Sequence, residues 1–399
     1  MQPLLLDISR LVSRVSQGAI SGIDRVELAY LKEILNRSET CFFLARLPRR
    51  YAVLDREGGD KICKKILLLQ SSSDLTNPPS RPKILFDVWR MAIRNCRENR
   101  LAECVQALFP SGVIYLNVGH SNLRECVFNA FPNEQKHKKI VFIHDVIPIS
   151  HPQFSRPDVT DKFRRDMARV NRCADMVIYN SNTTKAEAET YFNEIGRCPM
   201  GIVAHPGSGL KKTEHLFENK VKKPFFLTLG TIEPRKNHAL LLGIWRDLVR
   251  DLRAQEVPDL RIIGRRGWNN ESVFNIMDSD PMMGVHVFED GNLPDGQARS
   301  WLAQSRALLF PSHIEGFGLP LIEAAEMGVP VICGEIAVAH EVLGDYPLYL
   351  PVDNSYAWRQ EILERTSRER ESEAVRQERS RSAVLPDWPA HFDRIFRFL

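Results

Sequence analysis

The residues best suited to do chemistry lie in one short stretch, residues 311–325 (PSHIEGFGLPLIEAA). It holds two carboxylates eight positions apart, Glu315 and Glu323, with two glycines and a proline between them. Glycine lets backbone N–H groups approach a ligand closely, and a helix that begins near Pro320 presents an N-terminus that favours an anion. Glu315 then lies in the loop and Glu323 about one turn into the helix, facing the same cleft. The stretch therefore predicts a site for a ligand with hydroxyl groups at both ends and a phosphate between them.

A second stretch, residues 230–238 (GTIEPRKNH), places the adjacent cations Arg235 and Lys236 between a predicted strand and a predicted helix. Ligands of open α/β sheets bind at the carboxyl ends of strands. A diphosphate would be clamped there by the bidentate fork of arginine and the point charge of lysine. A solvated basic turn is the alternative, and the acidic stretch in the same half of the chain makes it the weaker one.

Two further turns of the second half follow predicted strands. Residues 262–268 (IIGRRGW) place Gly264 and Arg265 where they would support a nucleotide, or else form an ordinary glycine-rich turn. Residues 290–295 (DGNLPD), with Leu293 among them, either line a base pocket or form a plain surface turn.

In the first half, residues 143–148 (IHDVIP) end an apolar strand with an ionisable pair, His144 and Asp145. A histidine in that position would face the cleft between two domains, where it would orient a substrate or share a proton with Asp145. A purely structural His–Asp hydrogen bond is the alternative. Residues 18–27 (GAISGIDRVE) are interpreted as a loop facing a substrate rather than a simple turn. Gly22, Arg25 and Asp145 are the candidate acceptor contacts.

Short apolar runs alternate with longer amphipathic ones, which predicts an α/β fold with parallel sheets. In the first half we expect strands over residues 4–8, 41–47, 83–86, 113–118, 140–143, 176–179 and 201–204, and helices over 23–35, 158–173 and 183–192. In the second half we expect strands over residues 225–229, 260–263, 285–288, 307–310 and 331–333, and a helix from an Asn237 cap through Leu252.

The bulk properties favour a two-domain protein of the cytoplasm. A chain of 399 residues usually divides into two domains, and a net charge of +4 gives no global field for nucleic acid. The eight scattered cysteines form no C-x-x-C pair, which is typical of reduced thiols, and no apolar run reaches the roughly 20 residues that span a bilayer. No secretory signal is visible, whereas peripheral contact with the inner face of the membrane stays open.

Several kinds of site are disfavoured. Histidines and carboxylates do not cluster at the spacing of metal ligands, so no metal site is expected. The G-x-G-x-x-G fingerprint is missing, which argues against a nicotinamide dehydrogenase. Neither a G-x-S-x-G elbow nor a P-loop is present.

Together these motifs resemble the retaining glycosyltransferases of family 4, and within them the bacterial polysaccharide mannosyltransferase-like branch. The second half carries the likeness in residues 230–237 (GTIEPRKN), 311–324 (PSHIEGFGLPLIEA) and 328–332 (GVPVI). The first half carries a weaker likeness in residues 7–9 (DIS), 22–27 (GIDRVE), 144–148 (HDVIP) and 204–207 (AHPG).

The resemblance implies the GT-B fold, with two facing Rossmann-like domains, a central cleft and a C-terminal helix that crosses back to the first domain. We accordingly expect an acceptor-binding domain over residues 1–207, a linker over 208–223, a nucleotide-sugar-binding domain over 224–384 and the crossing helix over 385–399. No cofactor is implied.

The resemblance also implies roles for the candidate residues. Arg235 and Lys236 would hold the donor diphosphate and offset the charge of the leaving group, without an essential metal. Glu323 would accept hydrogen bonds from the ribose hydroxyls, and His144 would lie near the reacting carbon. Glu315 would hold the transferred sugar together with the donor-binding loop of Gly316, Phe317, Gly318 and Leu319. One departure is His313, where the family often has serine or threonine.

The function implied is transfer of a hexose from a nucleoside-diphosphate sugar, GDP-mannose being favoured, to a glycan or lipid-linked glycan in surface polysaccharide biosynthesis (O-antigen, lipopolysaccharide or capsule). The alternatives are another GT-B enzyme, such as a nucleotide-sugar epimerase or hydrolase, and a non-catalytic protein that binds a nucleotide-sugar.

Overall fold

A computed structural model describes residues 2–14, 21–71, 80–132, 136–208, 223–291 and 293–399. The chain forms two compact units. The first unit comprises Met1–Val146, Asp161–Gly209 and Asp387–Leu399, and the second comprises Ile147–Thr160 and Leu210–Pro386. Most of the expected linker, together with residues 18–20 and 292, lies outside the described residues.

The first unit is built on a twisted sheet with the strand order β4-β3-β2-β1-β5-β6-β7-β8. Its strands are β1 (Leu4–Asp7), β2 (Cys41–Leu47), β3 (Arg50–Leu54), β4 (Arg94–Arg97), β5 (Ile114–Asn117), β6 (Lys138–Ile143), β7 (Met176–Tyr179) and β8 (Met200–Val203). The β2–β3 and β3–β4 pairs are antiparallel, and the other pairs are parallel. The order reverses between β1 and β5, which makes the carboxyl ends of these strands the topological switch point of the first sheet.

Helices alternate with these strands along the chain. They are α1 (Ser9–Arg14), α2 (Gly22–Asn36), α3 (Arg56–Ser71), α4 (Arg81–Met91), α5 (Leu101–Leu108), α6 (Glu125–Phe128), α7 (Ile147–Ser150), α8 (Pro157–Cys173) and α9 (Asn182–Ile195), of which α7 and the first turn of α8 belong to the second unit. A capping box starts α2, because the Asp24 carboxylate accepts from the Ser21 backbone N–H at 2.7 Å while the Ser21 hydroxyl accepts from the Asp24 N–H.

The strand expected over residues 83–86 is wrong, since these residues lie within α4. Ile84 and Val88, four positions apart, are buried, whereas Phe86 between them is 56% exposed. That spacing is the period of a helix with one apolar face. The short apolar run was therefore one turn of an amphipathic helix.

The second unit holds a parallel sheet with the order β11-β10-β9-β12-β13-β14. Its strands are β9 (Phe225–Leu229), β10 (Asp259–Ile263), β11 (Val287–Asp290), β12 (Leu308–Phe310), β13 (Val331–Gly334) and β14 (Leu348–Leu350). Numbered within the unit, this is the 3-2-1-4-5-6 order of the doubly wound Rossmann sheet. Its switch point lies at the carboxyl ends of β9 and β12.

The helices of the second unit are α10 (His238–Asp251), α11 (Glu271–Ser279), α12 (Asp295–Gln304), α13 (Leu319–Glu326), α14 (Ala337–Leu343), α15 (Ser355–Ser367) and α16 (Glu373–Ser382). The glycine and proline pattern sets the ends of α13. Gly318 precedes it at φ 88°, Pro320 lies in its first turn, and Gly328 follows it at φ 62°. Positive φ angles suit glycine, and the first turn of a helix tolerates proline.

The last helix, α17 (Trp388–Phe396), packs in the core of the first unit. Phe392 and Ile395 are buried there. His391 Nε2 lies 2.9 Å from the Tyr30 hydroxyl, and its Nδ1 lies 3.1 Å from the carbonyl oxygen of Ala204. Burial lowers the pKa of His391 to about 3, so a neutral imidazole fastens this helix at neutral pH.

Two general features complete the description of the fold. In the part of the chain that the structure describes, no helix is both long enough and apolar enough to cross a bilayer. All eight cysteines are free thiols.

Candidate functional site

The switch point of the second sheet brings the two chemistry-bearing stretches together. After β9 the chain passes through a 3-10 turn, Pro234–Lys236, and reaches α10 through Asn237, whose φ of 54° is left-handed. After β12 it forms the loop that ends at α13. The two loops are tied by a backbone hydrogen bond of 2.8 Å from the His313 N–H to the Arg235 carbonyl.

The side chains of Arg235, Lys236 and Glu315 form one ion cluster. Arg235 Nη1 lies 2.5 Å from Glu315 Oε2, and Lys236 Nζ lies 2.5 Å from Glu315 Oε1. Glu233, which the sequence analysis did not select, binds the other Arg235 nitrogen at 2.6 Å. Both oxygens of Glu315 are therefore engaged by cations, and two carboxylates share two cations.

This cluster is largely removed from water. Glu233 is 3% exposed, Glu315 7% and Lys236 9%. Burial by itself raises the pKa of Glu315, but the charges of Arg235 and Lys236 outweigh it and lower that pKa to about 2. Burial also lowers the pKa of Lys236, an effect that the charge of Glu315 opposes. Glu315 is thus an ionised hydrogen-bond acceptor at neutral pH, not a proton donor.

The Lys236 side chain also packs against an aromatic ring. Its ammonium lies 4.6 Å from the centre of the Phe310 ring, a cation–π contact at the end of β12.

The Gly230 backbone, at φ 138°, passes so close to Gly264 that a Cβ atom on Gly264 would lie 1.9 Å from the Gly230 oxygen. The backbone at the ends of β9 and β10 can approach this closely only because residue 264 has no side chain.

The remaining donor-site candidates on the β12–α13 side lie in the loop before α13 and on α13 itself. Glu323 lies on α13 and is 2% exposed, and Phe317 is 6% exposed. Gly316 and Gly318 are buried in the loop, and Leu319, half-buried, begins α13.

The candidates on the β10–β11 side have mixed surroundings. Arg265 is half-buried directly after β10. Its neighbour Arg266 is engaged by Glu289 and Asp278, each at 2.7 Å. Leu293 is half-buried and packs against the apolar cluster that includes α13. The structure thus gives Arg266 and Leu293 packing partners within their own unit.

In the first unit, His144 directly follows β6 and is 6% exposed. Its Nε2 lies 2.8 Å from the Val118 carbonyl oxygen, which can only accept, so Nε2 carries the proton and Nδ1 holds a lone pair. Burial lowers the pKa of His144 to about 4. The backbone oxygen of His144 accepts from the Asn180 side chain at 2.6 Å. His144 is therefore a fixed, neutral imidazole at neutral pH.

The acceptor candidates of the first unit are less enclosed. Gly22 is exposed as the first residue of α2, and Arg25 is half-buried on the same helix. Asp145 is half-buried after His144.

A buried polar cluster at the switch point of the first sheet was not predicted as a site. The Asp7 carboxylate accepts from the Ser9 N–H at 2.9 Å, and from the Tyr115 hydroxyl and the Asn122 amide at 2.7 Å each. Burial raises the pKa of Asp7, and these hydrogen bonds oppose the rise. An aspartate directly after three leucines was the sequence signal for it, because a carboxylate at the end of a buried strand needs partners.

Among the described residues, no group of three or more His, Cys, Asp or Glu side chains is arranged to hold a metal ion.

Comparison with known proteins gives the chain a family context. Residues 211–379 match the family model described as glycosyl transferases group 1. The serotype-specific mannosyltransferase WbdA of Escherichia coli is 29% identical over 223 residues, which are 52% of this chain and 27% of WbdA. The O-antigen chain mannosyltransferase RfbU of Salmonella typhimurium is 25% identical over 228 residues, 56% of this chain and 59% of RfbU. The chain thus spans about a quarter of WbdA and somewhat more than half of RfbU.

Solved structures show the same fold at low identity. Sucrose-phosphate synthase from Thermosynechococcus elongatus superposes with a TM-score of 0.62 at 15% identity and covers 100% of this chain and 98% of that one. Anabaena Alr3699/HepE, solved in complex with UDP, gives a TM-score of 0.62 at 14% identity over 100% and 99% of the two chains. The expected GT-B fold is confirmed.

Proposed function

We propose that this chain is a retaining glycosyltransferase of surface polysaccharide biosynthesis, since residues 211–379 match the family model of glycosyl transferases group 1 and the chain has a GT-B fold. It moves a hexose, mannose from GDP-mannose being favoured, to a glycan or lipid-linked glycan. The mannosyltransferase names of WbdA and RfbU support this choice of sugar.

The ion cluster of Arg235, Lys236 and Glu315 is the observation that carries the proposal. Two cations meet at the carboxyl end of parallel strands, where open α/β sheets bind ligands. A donor diphosphate supplies the negative charge that these cations attract. Glu315 then shares them with the phosphates and keeps oxygen lone pairs for the hydroxyls of the transferred sugar.

Arg235 and Lys236 also stabilise the charge that develops during the reaction. As the bond between the sugar and the diphosphate breaks, negative charge builds up on the leaving phosphate. Arg235 and Lys236 are already held in place by Glu233 and Glu315, so they stabilise that charge without having to reorganise. The N-terminus of α13 follows the Glu315 loop, and the helix dipole places a partial positive charge there, of the same sign as the two cations.

The other assignments are those that the family resemblance implies. Glu323, on α13, accepts from the ribose hydroxyls, and Arg265 supports the nucleotide after β10. In the first unit, His144 lies near the reacting carbon, and Gly22, Arg25 and Asp145 contact the acceptor. We also propose peripheral contact of the protein with the inner face of the membrane, where a lipid-linked acceptor would lie.

A binding experiment tests the donor site. We expect GDP-mannose to raise the melting temperature more than UDP-, dTDP- or ADP-sugars, since a ligand at one hundred times its Kd adds about 2.7 kcal/mol to the free energy of unfolding. Glu323→Gln is expected to weaken nucleotide binding about tenfold or more, because it removes a charged hydrogen-bond acceptor. Glu326→Gln, three positions along the same helix, is the matched control.

Transfer to an acceptor is then measured with radiolabelled donor. If the donor is hydrolysed or isomerised in the absence of an acceptor, the protein is a hydrolase or an epimerase rather than a transferase. Failure of every nucleotide-sugar to bind would overturn the proposal as a whole.

A further inference from the structure

One segment of the first half of the sequence belongs to the second unit. Residues Ile147–Thr160, which we call the strap, follow directly after His144 and Asp145. They pack with the second unit, while the residues on either side of them pack with the first. The strap contains α7 and a 3-10 turn, Pro152–Phe154.

The strap meets the candidate donor site through an aromatic stack. The rings of Phe154 and His313 are nearly parallel, at 14°, with their centres 5.5 Å apart. The His151 ring stacks on Phe154 in turn, at 16° and 6.3 Å. The backbone oxygen of Phe154 accepts from the indole N–H of Trp268 at 3.2 Å. Phe154 is thus held both by its ring and by its backbone.

Backbone hydrogen bonds order the strap around Phe154. The His151 N–H donates to the Ile147 oxygen at 2.8 Å, and the Phe154 N–H donates to the His151 oxygen at 3.1 Å. The Ser155 N–H donates to the Pro152 oxygen at 3.0 Å. These successive turns make the strap an ordered support rather than a loose connection.

His313 transmits this support to the ion cluster. It lies two residues before Glu315, and its N–H donates to the Arg235 oxygen at 2.8 Å. The loop that follows contains Gly316 and Gly318, residues with wide backbone freedom. The stack on His313 therefore contacts the loop two residues before Glu315.

We propose that Phe154 and His313 are positioning residues for sugar transfer: their stack fastens the Glu315 loop so that the carboxylate meets both the cations and the transferred sugar. The inference rests on the proposed function of this site. It assigns a role to His313, which occupies a position where the family that this chain resembles often has serine or threonine. Displacement of a reacting group by about 1 Å can cost about a hundredfold in rate, so a modest contact can matter for turnover.

Variants of the two stacked residues provide the test. We expect Phe154→Leu and His313→Ser each to lower kcat about tenfold, while the Kd for GDP changes less than twofold, because Arg235 stays paired with Glu233 and the stack does not touch Glu323 on α13. Phe154→Tyr and His313→Phe keep an aromatic ring at each position and are expected to restore most of the turnover. Tyr356→Leu, at an aromatic residue of the same unit that is 68% exposed, is the matched control and leaves kcat unchanged.

Hydrogen exchange supplies a readout that does not depend on activity. The backbone amides of residues 312–318 are expected to exchange several-fold faster in Phe154→Leu than in wild type or Tyr356→Leu. Unchanged exchange would overturn the inference, and so would faster exchange with an unchanged kcat.

The two proposals can fail separately. If the wild-type protein binds and transfers sugar but Phe154→Leu matches the control, the strap has no positioning role and the proposed function stands. If the wild-type protein binds no nucleotide-sugar, the proposed function fails. Faster exchange in Phe154→Leu would then show a structural support only, and the positioning role would be overturned as well.

Discussion

Arg235 Nη1 and Glu315 Oε2 lie 2.5 Å apart although the two residues are separated by 80 positions in the sequence. They meet because β9 and β12 are adjacent and parallel, with Leu227 opposite Leu308. Each residue lies in the loop that follows its strand. The strand order of the second sheet, rather than any local pattern, therefore brings these charges together.

The cluster is organised around Glu315. Its two oxygens bind one cation each, and Glu233 provides a second partner for Arg235. Among the described residues, Lys236 forms its ion pair with Glu315, and its ammonium also lies over the Phe310 ring. Loss of Glu315 is therefore expected to disturb Lys236 more than Arg235.

A double-mutant cycle separates stability from function in this cluster. Lys236→Met and Glu315→Gln each leave a buried charge with fewer partners, which is expected to cost about 3–5 kcal/mol of unfolding free energy. The double variant removes both charges, while Arg235 keeps Glu233, so much of that loss should be regained. Sugar transfer should remain lost in both single variants and in the double variant. Transfer activity and urea denaturation are measured for all of them. A double variant that regained transfer would exclude the clamp role.

Acid should destabilise the protein through Glu315. Its pKa in the folded state is about 2, against an ordinary value of 4.5. A carboxyl whose folded pKa is lowered contributes stability above pH 4.5, and this contribution is lost as the pH falls toward 2. The difference corresponds to about 3 kcal/mol. Urea denaturation from pH 6 to pH 3 should show a steeper loss in wild type than in Glu315→Gln. Parallel pH profiles for the two proteins would contradict this.

The sequence predicted the parts of the second unit whose signals are local. The glycines and proline around α13 marked its ends, and the apolar runs marked β9, β12 and β13. The strands β3 and β4 were missed because they form the antiparallel edge of the first sheet. There β4 reads Arg-Asn-Cys-Arg, which carries no apolar pattern.

The contacts of the site were less predictable than its residues. Arg235, Lys236, Glu315 and Glu323 were selected from spacing alone. Nothing in the sequence indicated that Glu315 pairs with both cations, since that requires the strand order. The stack of Phe154 on His313 was equally hidden, because it joins the strap to a distant loop that shares no periodicity with it.

Two glycines of the second unit should respond oppositely to alanine. A Cβ on Gly264 would lie 1.9 Å from the Gly230 oxygen, and a backbone atom cannot rotate away, so Gly264→Ala should lower the free energy of unfolding by several kcal/mol, on the order of other severe packing defects. Gly243, inside α10, has nothing within 4 Å of its Cβ position. Gly243→Ala should raise the free energy of unfolding by about 0.5–1 kcal/mol. Thermal and urea unfolding measure both changes, and equal effects would be inconsistent with the close approach of β9 and β10.

His144 should act in turnover as a neutral imidazole. Its pKa of about 4 lies below the ordinary value, so the ring is uncharged throughout pH 5.5–8 and the kcat profile should show no inflection near pH 6.5. His144→Gln should lower kcat by about tenfold or more, since it removes the Nδ1 lone pair, while nucleotide binding to the second unit should stay unchanged. His340→Gln, at an exposed histidine, is the matched control. An inflection near pH 6.5 that vanished in His144→Gln would show a protonated His144 at neutral pH and would contradict this role.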